Sequence, residues 1–273
     1  MTDMKNNVLV YAATSKDGGA VGIFVLDEIF HQPIKIDDRD LLQHVESLAS
    51  HEGILYDSWF SVGETLSEKS IREKVNGTYG RPSRSMAITS HKGKLYESNW
   101  DGCLYERLTG DDLEEILVNA GDNRTFPHYS QENILMTERF ITDLVSHKEE
   151  LYDCGNHGVF ETFSEESIAD RTTYHMASND DILYGSGPDA SGIYDGTIYE
   201  ILTDKKIAKR SDEVRSLVSH NGRLYDAGNY GILDTMLNCG SREDSIVPHT
   251  HISAMASVPR KIFEEVSILK TNN

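Results

Sequence analysis

The sequence is poor in cysteine and contains no long apolar run. Only three of its 273 residues are Cys, and their spacing does not match a disulfide framework, which argues against a disulfide-stapled secreted module. No apolar run reaches the ~18 residues that a membrane span needs, and the first residues, MTDMKNNVLVY, lack the apolar stretch of a signal peptide. We therefore expect a soluble, cytoplasmic protein.

Positive charge is also scarce. The chain carries 26 Lys and Arg against 45 Asp and Glu, a net charge of −19. A surface of this sign repels both the nucleic-acid backbone and anionic membranes. The expected partners are therefore a protein, a peptide or a small molecule, with no nucleic acid and no membrane.

The common catalytic and metal-binding motifs are absent from the sequence. There is no Gly-x-Ser-x-Gly elbow, no P-loop, no Rossmann glycine fingerprint and no paired Cys-x-x-Cys. We predict no metal site or cofactor. A divalent cation remains an alternative, because His249 and His251 could place two imidazoles on one side of a strand.

A short motif recurs six times along the chain. Each copy has Ser followed by His or Asn, then a turn, then Leu-Tyr and usually an acid; the last copy has decayed to Ser-Val and Ile-Phe. The aromatic residue always lies six positions after the Ser, at Tyr56, Tyr96, Tyr152, Tyr184, Tyr225 and Phe263. The mean separation between copies is about 41 residues.

Each repeat has the pattern of short β-strands. A short apolar segment precedes the Ser, and Gly53, Gly93 or Gly222 supplies a tight turn where positive φ is needed. The Leu-Tyr segment predicts a second strand, a later glycine opens a third, and a weaker fourth is plausible, for example at residues 115–118. Four antiparallel strands in about 41 residues is the size of a propeller blade.

The chain resembles β-propeller repeat proteins through this divergent Ser-His-x-Gly-x-Leu-Tyr-Asp repeat. The resemblance implies an all-β, single-domain propeller over residues 1–273, with six blades (seven as the alternative) of four antiparallel strands. Both chain ends would close the ring, in a blade made of residues 8–36 and 250–269. One point stays open, because residues 261–269 compete with residues 8–11 for the second-strand position.

Residues that recur in every blade are expected to serve the blade. We predict that the Ser-His pairs hydrogen-bond local backbone at the turn and that the Tyr side chains lie in the core. The repeat acids are expected to cap turns or bond neighbouring backbone, with a cation-binding carboxylate ring around the channel as the alternative. These acids are Asp57, Glu97, Asp153, Asp226 and Glu264.

Residues that differ between blades are the candidates for function. The long insertions, at residues 12–21, 121–138 and 185–195, all fall on the face of the second-to-third-strand loops, whereas the Ser-His turns look uniform. Rings recur on those loops and predict ligand contacts, with packing on neighbouring loops as the alternative. The ring-bearing candidates are Trp59, Trp100, His157, Tyr194 and Tyr230.

Basic groups recur seven or eight residues before the His position of the motif. They are expected near the channel mouth, where they could hold a carboxylate or phosphate, or neutralise nearby acids instead. These residues are His44, Arg84, Arg139, Arg171 and His251, of which the three arginines are predicted ligand contacts.

These patterns favour a non-catalytic, monomeric binding scaffold that presents one loop face to a peptide, a protein or a small ligand. One alternative is a propeller lyase or hydrolase acting on a sugar or lactone, possibly metal-assisted, with His128, His157 or His251 as acid or base. Another is a multivalent lectin with similar pockets between blades.

Overall fold

The fold consists almost entirely of strands. The computed structural model describes residues 7–14, 21–26, 33–37, 45–52, 54–58, 62–66, 85–99, 102–107, 129–136, 139–188, 192, 194, 196–237 and 244–265. In this part of the chain there are 22 strands, one 3-10 turn at Thr235–Leu237 and one helix, α1, at Lys261–Glu265.

The described strands form six antiparallel sheets, and five of them use consecutive segments of chain. Sheet 1 contains β4 (Ser47–His51), β5 (Ile54–Ser58) and β6 (Val62–Leu66). Sheet 2 contains β7 (Ser85–His91), β8 (Lys94–Asn99), β9 (Cys103–Arg107) and β10 (Tyr129–Met136). Sheets 3 and 4 contain β11 (Ile141–His147), β12 (Glu150–Gly155), β13 (Gly158–Glu161) and β14 (Ser167–Ala169), then β15 (His175–Asn179), β16 (Ile182–Gly187), β17 (Thr197–Glu200) and β18 (Lys205–Lys209). Sheet 5 contains β19 (Val214–His220), β20 (Arg223–Gly228) and β21 (Gly231–Asp234).

The sixth, closing sheet joins the two ends of the chain. Its strands run in the order β22 (Ile252–Pro259), β1 (Asn7–Thr14), β2 (Val21–Leu26) and β3 (Pro33–Asp37). The pairing of β1 with β22 is antiparallel, with Val10 opposite Ala256. Residues 261–265 are helical, so the position beside β22 belongs to β1, and this part of residues 261–269 is not the competing strand that the sequence allowed.

The first strands of the sheets, β4, β7, β11, β15, β19 and β22, surround a common axis. Each contacts the next in this order, and β22 contacts β4, so the ring is closed. The architecture is an all-β propeller, which confirms the predicted fold. Each first strand is the inner edge strand of its sheet, and the pairing of β22 with β1 covers the edge that β1 would otherwise leave open to another chain.

The fourth strands are less regular than the sequence suggests. In sheet 2 the fourth strand is β10, which the sequence analysis placed inside an interblade insertion at residues 121–138; residues 115–118 lie outside the described part. β10 pairs with β9 only through an irregular register between Tyr129 and Ile134, which explains its weak sequence signal. In sheet 5, Ile246 donates one backbone hydrogen bond to the Ile232 carbonyl in the fourth-strand position.

The turns between first and second strands are tight hairpins. Lys92 and Gly93 have φ values of 48° and 75°, and Asn221 and Gly222 have values of 50° and 74°. Two consecutive positive φ angles are characteristic of the type I′ turn, whose twist matches that of the strands. We call the side of the molecule with these turns the hairpin face, and the opposite side, where the first strands begin, the loop face.

The core lies between successive sheets. The repeat leucines Leu55, Leu95, Leu151 and Leu224 are fully buried, and each packs with apolar side chains of its own or an adjacent sheet. The repeat tyrosines Tyr56, Tyr96, Tyr184 and Tyr225 are also buried, as predicted, while Tyr152 is half-buried.

Candidate functional site

The repeated Ser-His pairs form a belt of hydrogen bonds between sheets. In each described pair the imidazole Nδ1, or the Asn179 Oδ1, lies within hydrogen-bond distance of the Ser Oγ of the next sheet. The pairs are His51–Ser90 (2.9 Å), His91–Ser146 (2.9 Å), His147–Ser178 (2.8 Å), Asn179–Ser219 (2.7 Å) and His220–Ser257 (2.9 Å). The prediction of local backbone bonds did not include these contacts, in which each side chain reaches across the inter-sheet gap.

The belt has one different junction. The closing sheet carries Val258 in the His position, and a valine side chain cannot hydrogen-bond to Ser50 of sheet 1. Val258 instead packs in an apolar cluster with Ile262 and Phe263 of α1. Apolar packing therefore takes the place of a polar link at this junction.

Four acids of the repeat, Asp57, Glu97, Asp153 and Asp226, are buried in the sheets and do not line the central cavity; the side chain of Glu264 lies outside the described part. Asp226 is the clearest case. Arg210 donates to it twice (Nε–Oδ2 2.7 Å and Nη2–Oδ1 2.5 Å), the Tyr230 hydroxyl donates to Oδ2 (2.7 Å), and Thr235 donates to Oδ1 (2.8 Å). A carboxylate bonded this way is satisfied inside sheet 5, which excludes Asp226 from a cation-binding ring.

The same arrangement recurs in sheet 3 and is lost in sheet 4. Arg139 Nη2 donates to Asp153 Oδ2 (3.3 Å), and the guanidinium lies 4.2 Å from the centre of the Phe160 ring. In sheet 4 the acid position is Gly185. Its arginine, Arg171, bonds the exposed Asp204 at 2.7 Å and lies over the Tyr199 ring. Arg139 and Arg171 thus pair with acids, and neither lines the central cavity.

A cavity of about 350 Å³ runs along the axis and is lined by all six first strands. Its polar groups differ at the two ends. The hairpin-face end carries the belt serines, and the middle is largely apolar, with Leu144, Met176, Leu217 and Met255 among its lining residues. Charged and imidazole groups lie at the loop-face end, which we call the mouth.

Four ionisable side chains line the mouth. They lie where the first strands begin or on the approach to them: Glu46, Asp143, His175 and Arg215. Sequence reasoning missed Asp143 and His175, because neither belongs to the repeated motif. The signal that could have found them is their position three residues before the motif Ser, which holds Ser or Ala in the other four sheets.

Asp143 links sheet 3 to sheet 4. Its Oδ2 accepts the backbone N–H of Met176 (2.8 Å), and its Oδ1 accepts that of Leu144 (2.8 Å). Burial raises the pKa of its carboxyl to about 7, against the opposing effect of these two N–H groups. Ser47 and Ser216 occupy the same position in sheets 1 and 5 and also accept a backbone N–H from the next sheet.

His175 and Arg215 lie on the neighbouring strands β15 and β19. Burial, reinforced by the Arg215 charge, lowers the pKa of His175 to about 4, so the imidazole is neutral at neutral pH. Arg215 donates from Nε to Glu213 Oε2 at 3.1 Å. The mouth therefore combines the neutral His175 imidazole with the Arg215 guanidinium, which is paired with Glu213 through its Nε only.

A stacked tyrosine pair adjoins His175. The rings of Tyr174 and Tyr194 lie 5.6 Å apart with an interplanar angle of 16°. Tyr194 belongs to the long loop of sheet 4, and its hydroxyl donates to the Val214 carbonyl at 2.7 Å. This hydrogen bond fixes Tyr194 against the start of β19.

The structure separates the remaining predicted site residues. Trp59, Trp100, Arg84, His44 and His128 lie outside the described residues. His157 is exposed on its turn. His251 directly precedes β22, has a φ of 56°, and its Nδ1 lies 3.2 Å from the hydroxyl of Thr250. Tyr230 is only 6% exposed; it was expected to be an exposed ring, but its hydroxyl is bonded to Asp226 inside sheet 5.

The hairpin face is not featureless, contrary to the sequence-based expectation. Phe163, Leu202 and Met236 occupy equivalent turns between third and fourth strands and are 49%, 70% and 46% exposed. Phe163 packs edge-on against Tyr96 of the preceding sheet, with ring centres 5.7 Å apart. These turns combine partial packing with exposed apolar surface.

Within the described ranges, no group of three His, Cys, Asp or Glu side chains is arranged to hold a metal ion. In the same residues, no helix has the length and apolar character needed to cross a membrane.

Comparisons with known proteins yield likeness of fold alone. No protein-family profile matches the chain. A search of curated proteins also returns no match. Among solved structures, a chain in "Crystal Structure of Mitotic Checkpoint Complex" is similar, with 12% identity over 94% of this chain and 77% of that chain and a TM-score of 0.49. The six antiparallel sheets and their closed ring identify the fold of this chain as a β-propeller.

Proposed function

We propose that this protein is a non-catalytic binding scaffold whose ligand enters the axial cavity through the mouth on the loop face. The observation that carries the proposal is the uneven lining of the cavity. Charged and imidazole groups gather at one end, most residues that line the middle are apolar, and serines of the belt lie at the other end. Ligand pockets typically combine an apolar wall with a few convergent polar groups, and begin at about 300 Å³.

Binding accounts for the mouth better than catalysis does. A carboxyl with a pKa near 7 suits general acid–base chemistry. However, both oxygens of Asp143 accept backbone N–H groups. Its role is therefore to hold β11 against β15, which positions the mouth.

The tyrosine pair supports the same location for the site. Tyr194 is anchored through its hydroxyl to Val214, one residue before Arg215. An anchored aromatic pair offers contact area at small entropic cost, since little freedom remains to be lost on binding. The tyrosine pair would thus flank the entrance, since Tyr174 directly precedes His175 in the chain.

The test is a fragment screen by ligand-observed NMR, followed by soaking of crystals. We expect hits in the cavity, and we expect Ala256→Phe, which fills the apolar middle, to abolish their binding. Leu202→Phe is the matched control, because it adds the same ring at an exposed site on the hairpin face. Fragments that bind Ala256→Phe and the unmodified protein equally well, with both folded by circular dichroism, would refute the proposal.

A further inference from the structure

We infer that the mouth recognises a carboxylate carried on a short apolar body, with Arg215 as the principal contact and His175 as the second. The inference rests on the proposed function and specifies the chemical class of its ligand. The inference follows from the hydrogen bonds that the side chains at the mouth already make and from the donor groups that remain available to a ligand.

Arg215 has an open bonding edge. Its Nε is occupied by Glu213, but neither terminal amino group has a hydrogen-bond partner among the residues that the structure describes. The side chain is 33% exposed and lines the cavity. A guanidinium presents parallel N–H donors that match the two oxygens of a carboxylate, and partial burial strengthens such bonds relative to water.

His175 supplies a second polar contact. Its ring lines the cavity and has no hydrogen-bond partner within the described part of the chain. The neutral imidazole can donate one N–H without adding a charge that would need its own counter-ion. His175 and Arg215 lie on first strands that contact each other, β15 and β19, and both residues line the cavity, so one ligand at the mouth can meet both.

The acids of the mouth are compatible with an anionic ligand. Glu213 binds the Nε edge of Arg215 and so leaves the amino edge accessible. Asp143 directs both oxygens to backbone N–H groups, and its raised pKa reduces its charge near neutrality. Glu46 lies beside β4, which is separated from β19 by β22 in the ring.

The residues in the middle of the cavity determine which chemical groups can accompany the carboxylate. Behind the mouth the lining residues include Leu144, Met176, Leu217 and Met255, which also pack between the sheets and offer no charge to a ligand. A branched aliphatic body therefore suits this layer better than a polar one. The same chemistry could come from a free short-chain acid or from the C-terminus of a peptide ending in an aliphatic residue.

The experiment compares matched pairs of probes by calorimetry. One pair is 4-methylpentanoate and its primary amide; the other is acetyl-Ala-Gly-Ala-Leu with a free or an amidated C-terminus. We expect the acid of at least one pair to bind at least tenfold tighter than its amide. Arg215→Gln should remove that preference, Arg215→Lys should restore part of it, and Arg223→Gln, on the exposed hairpin side, should leave it unchanged.

The outcomes separate the two proposals. Binding by the small acid or by the free peptide identifies the source of the carboxylate and supports the inference. Equal binding of acid and amide in the cavity, unaffected by Arg215→Gln, overturns the inference and leaves the scaffold proposal standing. Failure of all four probes, with no fragment found in the cavity, overturns both. If Arg215→Gln lowers the melting temperature, its binding data are set aside. The inference is then tested by the acid–amide preference of the unmodified protein and by the partial preference expected for Arg215→Lys.

Discussion

At the scale of single residues, the most constrained group is the Asp226 carboxylate. It and Arg210 are fully buried and bonded to each other through two hydrogen bonds, with Tyr230 and Thr235 completing the set. A buried ion pair of this kind adds little net stability over apolar packing, but leaving one partner alone is costly.

Replacing Arg210 with Met should therefore destabilise the protein by about 3–5 kcal/mol, since the Asp226 charge would remain buried without its cation. Equilibrium urea unfolding measures this. The matched control is Arg223→Met, whose pair with Asp234 has a 65% exposed guanidinium and should change stability by at most ~1 kcal/mol. Similar losses in the two variants would contradict the account of sheet 5.

Tyr230 tests the same network from its other side. Tyr230→Phe removes the hydroxyl that donates to Asp226 and should cost about 1.5–3 kcal/mol, the usual range for a hydrogen bond to a charged group. A variant as stable as the unmodified protein would show instead that the ring's packing alone matters. Ligand binding should be unchanged in the folded fraction, because Tyr230 does not line the cavity.

At the scale of elements, the belt joins each first strand to the next. Burial lowers the pKa of His51, His91 and His147, so these rings resist protonation in the folded state. Below their ordinary value of 6.5 the unfolded chain binds protons that the folded chain does not, and stability falls as the pH falls. Asp143 acts in the opposite direction between pH 3.8 and about 7, since its folded pKa is raised.

The sequence itself provides a variant that separates these effects. Asn179 already replaces His in sheet 4 and keeps its bond to Ser219. We expect His147→Asn to retain the link to Ser178. The loss of stability between pH 7.5 and 5.5 should be smaller in this variant, because the imidazole that resists protonation is gone. Asp143 titrates equally in both proteins and so does not affect the comparison. His147→Ala should cost about 1 kcal/mol at pH 7.5. Denaturant midpoints across this pH range measure the stability of both variants. If the midpoint changes equally with pH in His147→Asn and in the unmodified protein, the proposed contribution of the belt histidines to the pH dependence is wrong.

Much of the element-level structure was predictable, and the reason is the repeat. Six copies with a fixed Ser-to-aromatic spacing define strand, turn and strand, and only the closing strand and β10 were ambiguous. The hydrogen-bond partners of the Ser-His side chains were not predictable, because these partners lie 31 to 55 residues away along the chain, in the next sheet. The mouth was missed for a related reason: Asp143 and His175 belong to different sheets and come together only when sheet 4 packs on sheet 3.

At the scale of the whole molecule, β22 completes the ring. It pairs with β1 along seven positions and contacts the first strands on both sides, β19 and β4. A chain that stops before residue 252 would expose the β1 edge and open the axial cavity.

Deletion of residues 252–273 should therefore lower the melting temperature and broaden the transition, since cooperativity depends on the closed ring. Circular dichroism and size-exclusion chromatography measure this, and a synthetic peptide covering residues 250–266 should restore part of the stability. A truncated chain that melts like the full one would contradict the closing role of β22.

The central claim is that the axial cavity binds its ligand at the mouth, and a crystal structure with whichever acid binds more tightly by calorimetry, 4-methylpentanoate or acetyl-Ala-Gly-Ala-Leu, tests it most directly. The account predicts the carboxylate within hydrogen-bond distance of the Arg215 amino groups, with the aliphatic end against Met176 and Leu217. An empty cavity at saturating ligand, or ligand bound only on the hairpin face, would contradict it.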